Sequence, residues 1–314
     1  VLLLSVSYAL SQYNIAQSSN IMWLDGVYML PFILLGVYKL VREKKVAFLS
    51  VSVGLCIVFN WYSGGMNCLF SILWFLFEMA YYLLDGSSCS WKKRIQTIIM
   101  TGIRYVIAMI LGVLLSAALF WPTVKALQGG RASFDWQLLT NTFAGQIQSV
   151  IQGNTLGAIS EAGRVSLFCG SLAVIGCICF FLSDKIRVKK KIITGILLIV
   201  TVLLFYWQPF IAAFSLMKSV GSYWYRYSYV GIFVVLFIAA CFYKECRESK
   251  ALNRNILLVS IGFSVVLLGL NYIYPLYSLK RTGGTIVFLL VIAIMLLCYL
   301  KCRGKKAQYV SVLL

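Results

Sequence analysis

Met66-Asn-Cys-Leu-Phe-Ser-Ile-Leu-Trp-Phe-Leu-Phe-Glu-Met-Ala-Tyr-Tyr-Leu-Leu84 is followed by the basic turn Trp91-Lys-Lys-Arg94 and then by a second largely apolar run, Ile95–Trp121. Runs of this length cross a hydrocarbon core about 30 Å thick, which takes roughly 20 residues of helix. Two of them joined by a short basic turn make a membrane hairpin. Lys and Arg are retained on the cytoplasmic side of a bilayer, so the turn also sets the direction of both crossings.

The same pattern continues on either side. Further basic clusters stand at Arg42–Lys45, Lys185–Lys191 and Lys301–Lys306, with a looser one from Lys244 to Arg254. Between them the chain reads as a half helix Val1–Leu10, then Ile21–Val41 inward, Val46–Asn60 outward and, after a turn on Trp61–Gly65, Met66–Leu84 inward. Ile95–Trp121 goes outward and is expected to stop at Pro122, because proline cannot continue the backbone ladder. Val165–Leu182, Ile192–Gln208 (ahead of Pro209), Tyr227–Tyr243, Ile256–Tyr272 and Thr285–Leu300 complete the set. The expected fold is all-α, a polytopic transmembrane helical bundle of about nine complete spans plus one partial. Residues 1–314 read as a single transmembrane domain, with an outer loop at 123–163 and an outer aromatic and basic segment at 210–226. Of the 28 basic residues, 21 then lie at the cytoplasmic half, and seven outside: Lys125, Arg131, Arg164, Lys218, Arg226, Lys280 and Arg281. That bias supports a multi-pass membrane protein with cytoplasmic basic loops.

Composition leads to the same class. The chain is 61% hydrophobic and 12% charged, too little polar surface to cover a water-soluble globule of 314 residues. Lipid bilayer is its first partner. The net charge of +19 is accounted for by loops facing anionic headgroups, so no nucleic-acid partner is implied. There is no His, which removes imidazole general bases, Ser/His/Asp and Cys/His triads and His-ligated metal sites. The ten Cys fall within spans or at the cytoplasmic side, so no disulfide framework is expected outside. No ligand spacing indicates a metal or other cofactor, although a divalent cation stays open. The chain begins at Val1 without Met and ends on an apolar Tyr309–Leu314, so segments are expected both upstream and downstream.

Charges within the bilayer cost at least about 2.5 to 3.5 kcal/mol each on insertion scales, so each needs a partner, a water path or a purpose. Three residues qualify: Asp25, Glu78 and Arg104. Glu78 and Arg104 fall at similar depth, which predicts a structural ion pair. Asp25, in Trp23-Leu-Asp-Gly26, stands at the outer end of its helix. It is either a carboxylate favoured by the helix dipole or a functional group able to act as a general base or to hold a cation or sugar hydroxyl.

Three outer stretches could build a pocket. Asn60-Trp-Tyr-Ser-Gly-Gly-Met-Asn67 brings Asn60, Trp61 and Tyr62 together with two Gly that permit unusual backbone angles, or simply turns a hairpin. After Arg131-Ala-Ser-Phe-Asp-Trp-Gln137, the recurrence of Leu139, Phe143, Ile147 and Ile151 every fourth residue predicts an amphipathic interfacial helix capped by Asp135. It would anchor the loop or guide a lipid. Lys218-Ser-Val-Gly-Ser-Tyr223-Trp224-Tyr225-Arg226 is either an interfacial aromatic belt or a site where rings hold a sugar and Arg226 grips phosphate. Arg226, with Lys125, Arg131 and Lys218, would then form an anion site.

Four of these stretches carry a resemblance. Trp23-Leu-Asp-Gly26 followed by Leu30-Pro31, Asn60-Trp-Tyr-Ser-Gly-Gly65, Phe120-Trp-Pro-Thr123 and Tyr225-Arg-Tyr-Ser228 are similar in order and spacing to the bacterial YfhO-type membrane proteins. The likeness covers Val1 to about Tyr243, and beyond Lys244 it is one of hydropathy. It implies a GT-C-like polytopic glycosyltransferase that moves a sugar from a polyprenyl-phosphate donor to a cell-envelope polymer of the teichoic-acid type, outside the cytoplasm. It also implies that the principal catalytic acid lies in a first outer loop upstream of Val1, leaving Asp25 as a second carboxylate of the site. The alternatives are a lipid-sugar flippase or transporter and a non-catalytic envelope scaffold.

Overall fold

The computed structural model describes residues 2–85, 90–130, 135–140, 142–161, 163–217, 224–245 and 252–301. In chain order the helices are α1 (Leu2–Ala9), α2 (Gln12–Ala16), α3 (Ile21–Glu43), α4 (Ala47–Phe59), α5 (Trp61–Asp85), α6 (Trp91–Leu115) and α7 (Ala117–Gly130). After a 3-10 turn at Trp136–Leu138 follow α8 (Gln148–Gln152), α9 (Ser171–Leu182), α10 (Val188–Tyr206), α11 (Gln208–Phe214), α12 (Ser228–Glu245), α13 (Leu252–Ile273) and α14 (Leu279–Lys301). Among the described residues the only extended pairing is two isolated bridges, Phe143 with Trp207 and Glu161 with Arg164.

Each segment expected to cross coincides with a helix, but they are not equivalent. Six are long and apolar enough to span a membrane: Ile21–Glu43, Trp61–Asp85, Trp91–Leu115, Ser228–Glu245, Asn255–Ile273 and Leu279–Cys298. The helices α4 and α9 have 13 and 12 residues, short of the roughly 20 that a full crossing needs. Lys189, Lys190 and Lys191 occupy the first turn of α10, which shortens its apolar part. Helix α6 turns Ile99, Val106, Ile110 and Leu114 outward, each more than half exposed, as a helix set in lipid does.

The chain divides into two compact units, where the sequence was read as one domain. One comprises 17–143 and 192–221, the other 1–16, 144–191 and 222–314. In the first, α4 is hemmed in by small residues. A Cβ on Gly112 of α6 would stand 2.7 Å from Val53 Cβ and 2.9 Å from the Ser50 carbonyl, and one on Gly36 of α3 would stand 2.8 Å from Leu49 Cα. Such close backbone approach supplies the van der Waals contact that holds helices together in lipid, where apolar burial gives little drive. In the second unit, Gly176 of α9 meets Ala239 and Tyr243 of α12 in the same way, and Tyr243 Oη donates to the Leu172 carbonyl at 2.9 Å.

Two helix boundaries differ from expectation. Pro122 does not end a span, because it sits inside α7, and the break falls at Ser116, whose hydroxyl takes the Val113 carbonyl at 2.8 Å. A hydroxyl competing for a ladder carbonyl interrupts a helix locally. Proline removes the donor for the Ala118 carbonyl, and one residue on Thr123 Oγ1 donates to the Leu119 carbonyl at 2.8 Å. The turn expected on Trp61–Gly65 contracts to Asn60 alone. Its Oδ1 accepts from the Tyr62 and Ser63 N–H groups at 3.0 and 3.1 Å, so α5 starts at once. Gly64 serves packing rather than unusual angles, since a Cβ there would lie 3.2 Å from Ile57 Cα.

The interfacial helix expected through Leu139, Phe143, Ile147 and Ile151 does not form. Asp135 does cap, accepting from Gln137 N at 3.1 Å, but what it caps is the single turn Trp136–Leu138. Gly145 at φ +77° breaks the run, while Thr142 O accepts from Gln208 N at 3.0 Å, and only α8 is helical beyond it.

Candidate functional site

The end of α3 opposite the Arg42–Lys45 cluster holds Asp25, half-buried. Tyr28, one turn on, donates its hydroxyl to Asp25 Oδ1 at 2.5 Å, the short distance usual for O–H to a carboxylate. Asp25 Oδ2 has no hydrogen-bond partner among the described residues. Two asparagines from the α4–α5 junction bracket this carboxylate. Asn60 Nδ2 donates to the Met22 carbonyl at 2.6 Å, and the fully buried Asn67 donates to the Gly26 carbonyl at 2.9 Å. Both bonds fall in the first two turns of α3, where these side-chain donors tie it to the start of α5. Trp61 and Tyr62 meet edge to face at 5.8 Å, both half-exposed, and Tyr28 packs on Phe59 at 6.2 Å. The arrangement is a fixed carboxylate with one oxygen tied and one open, bordered by rings and amides. It can take a proton from a hydroxyl or accept hydrogen bonds from a polyol.

The other expected residues are distributed differently. Lys125 is exposed on α7, its ammonium 5.5 Å from the Trp121 ring. Arg131, Lys218 and Tyr223 lie outside the described residues. Trp224 and Arg226 are half-buried and belong to the unit that does not contain Asp25.

The segment leading into α12 is held from within. Tyr225, Tyr227 and Tyr229 are buried, Tyr13 Oη donates to the Arg226 carbonyl at 2.6 Å, and Ser228 Oγ donates to the Tyr225 carbonyl at 2.7 Å. Tyr225 adopts φ +52°, a rare conformation for a bulky residue. Burial pushes its phenol above the ordinary range, against a lowering hydrogen bond with the Gly163 backbone. Its ring is therefore packing, and of the three aromatics at 223–225 Trp224 is the described one that is not buried.

Glu78 is buried, and its ion-pair partner is Arg42, Nε to Oε2 3.8 Å. The expected Glu78–Arg104 pair is not formed. Equal depth was the basis for expecting it, but α5 lies along α3, whose Arg42 also reaches Asp85 Oδ2 at 3.4 Å. Two partners of these acids were missed from sequence, Tyr28 for Asp25 and Arg42 for Glu78. Tyr28 was legible, since positions three apart share a helix face. Arg42 was masked by its place in a basic cluster.

No group of three or more candidate metal ligands is present among the described residues. Six apolar helices of spanning length among the described residues, four of them in close contact with the short helices α4 and α9 through glycine or alanine, define a multi-pass α-helical membrane protein. The chain belongs to the family described as bacterial membrane protein YfhO, whose model matches residues 1–314. The match therefore includes the part beyond Lys244 where the resemblance had been one of hydropathy. No curated protein and no solved structure matches the chain.

Proposed function

We propose that the protein is a GT-C-like glycosyltransferase acting at the outer face of the bacterial membrane, taking a sugar from a polyprenyl-phosphate donor to a cell-envelope polymer of the teichoic-acid type. The observation that carries this reading is Asp25, with Oδ1 held by Tyr28 and Oδ2 open. In the reaction an acceptor hydroxyl oxygen attacks the anomeric carbon and its proton passes to a carboxylate. The anomeric carbon–oxygen bond breaks, and the polyprenyl phosphate leaves with the electron pair. Asp25 is the candidate base on this chain, or an assisting carboxylate of the site. Asn60, Trp61 and Tyr62 are proposed to contact sugar. Lys125, Lys218 and Arg131, in the unit of Asp25, are cations proposed for the phosphate, and Arg226 with Trp224, in the other unit, is proposed on its own as a cation and ring able to take phosphate and sugar.

The test is acceptor glycosylation in cells carrying the full-length protein. Asp25→Asn keeps size and polarity, and a role in proton transfer predicts a loss of about 10²-fold or more at unchanged abundance. Arg226→Gln should weaken donor use, and Arg226→Lys should restore it only in part, because an ammonium does not reproduce a bidentate grip. Wild-type transfer in both Asp25→Asn and Arg226→Gln would remove the proposal. A flippase would differ in one respect, since donor supplied directly to the outer face would then be transferred without this protein.

A further inference from the structure

Ile186 pins the turn between α9 and α10. It is buried, while Asp184, Lys185, Arg187, Val188 and Lys189 around it are exposed. With Lys190 and Lys191 the stretch 185–191 carries five cations, and Asp184 is the one acid beside them. Lys190 lies 3.5 Å from Glu245, the last residue of α12. Because α12 is of spanning length, that contact sets the turn level with the end of a crossing, where headgroups begin.

The cations are placed where an anion relieves them. Lys189, Lys190 and Lys191 stand in the first turn of α10, which holds no acid, and a helix dipole disfavours positive charge at that end. The Arg42–Lys45 cluster is different in kind, since Arg42 is met by Glu78 and Asp85 and Lys45 by Glu43 at 2.7 Å. Apolar side chains flank the α9–α10 turn on both sides. Leu182, which ends α9, is 53% exposed, and Val188, which opens α10, is 68% exposed. A group of cations between apolar shoulders at a membrane boundary matches one ligand chemistry, a negatively charged headgroup carried on acyl chains.

We propose that the α9–α10 turn is a docking site for an anionic phospholipid, with Lys185, Arg187 and Lys189 on the headgroup and Leu182 and Val188 against the upper part of the chains. Arg187 supplies the planar fork that suits a phosphate, and the lysines supply point charges.

The experiment titrates the full-length protein in neutral detergent micelles with fluorescently labelled phosphatidylglycerol and reads binding by anisotropy, with phosphatidylcholine as the uncharged comparison. Phosphatidylglycerol is expected to bind more tightly. Changing Lys185→Gln, Arg187→Gln and Lys189→Gln together should weaken it about tenfold or more and leave phosphatidylcholine unaffected. Lys92→Gln, Lys93→Gln and Arg94→Gln together remove the same charge from another basic turn and should change binding much less. For the unaltered protein the preference should shrink in 1 M salt, where screening acts within about 3 Å. Equal affinity for the two lipids, equal loss in the two variants, or a preference that survives 1 M salt would each overturn the proposal. Lipid binding, not glycosylation, is the readout, so the outcome does not depend on the proposed enzymatic activity.

Discussion

The Arg42 guanidinium of α3 faces the buried carboxylate of Glu78 on α5, Nε to Oε2 3.8 Å. This is an ion-pair distance rather than a hydrogen bond, and the same guanidinium sits 3.4 Å from Asp85 Oδ2, about two turns along α5. One cation therefore ties two helices by neutralising two acids, one buried and one at the helix end. Tyr38 packs against it, its ring 5.3 Å from the guanidinium carbon.

Arg42→Met should leave Glu78 buried without its cation, and breaking such a pair costs up to about 3 to 5 kcal/mol. The expected outcome is a clear fall in folded protein in the membrane, largely recovered by adding Glu78→Gln, which removes the charge. Arg104→Met should show no such rescue relationship with Glu78. Fluorescence-detected chromatography of detergent extracts measures all of these, and rescue through Arg104 instead would overturn the pairing.

The small-residue contact between α4 and α6 predicts sensitivity at one position. Gly112→Leu places a side chain where even a Cβ would meet Val53 at 2.7 Å and a backbone carbonyl at 2.9 Å, so it should destabilise by about 1 to 3 kcal/mol or more. Gly102 of the same helix has nothing within 4 Å of its Cβ position, and Gly102→Leu should be tolerated. Thermal melts in detergent distinguish the two, and equal melting temperatures would count against this packing.

Asn67→Leu removes the buried donor to the Gly26 carbonyl beside Asp25. Leaving a buried polar group without its partner costs about 1 to 3 kcal/mol. A lower melting temperature is expected, and in the glycosylation assay a loss larger than reduced abundance explains, because the α3 segment bearing the carboxylate is freed. Unchanged stability would mean that this amide does not hold α3.

Tyr225 gives a pH signature. Its folded-state phenol is raised above the usual value of 10.0, so the contribution is fully present below pH 10 and is lost as pH rises through the higher folded value. Tyr225→Phe should flatten part of the alkaline fall in stability above about pH 10. Identical alkaline profiles for the two proteins would show that the phenol is not held as described.

Orientation is open to direct measurement. With the native Cys replaced, Lys125→Cys should react with an impermeant thiol reagent on intact cells, and Lys185→Cys only after permeabilisation, both positions being exposed. The opposite pattern would invert the positive-inside assignment.

Hydropathy and the basic clusters were enough to define a helical membrane protein and to locate its helices, because the bilayer imposes helix length and charge placement locally along the chain. Asp25 and the Asn60–Asn67 stretch were also legible as residues, since an acid or a polar run at a span's end stands out against apolar surroundings. What they touch was decided by tertiary structure. The Asn67 bond to Gly26 joins residues 41 apart, and Glu78 finds Arg42 rather than Arg104 because α3, not α6, supplies the cation beside it. The four-residue recurrence from Leu139 to Ile151 was overridden by a left-handed glycine and by bonds to a distant segment. Depth and periodicity are one-dimensional quantities, whereas the choice of partner depends on which helix face is turned toward which neighbour, and that is set only when the small residues of the helices have packed.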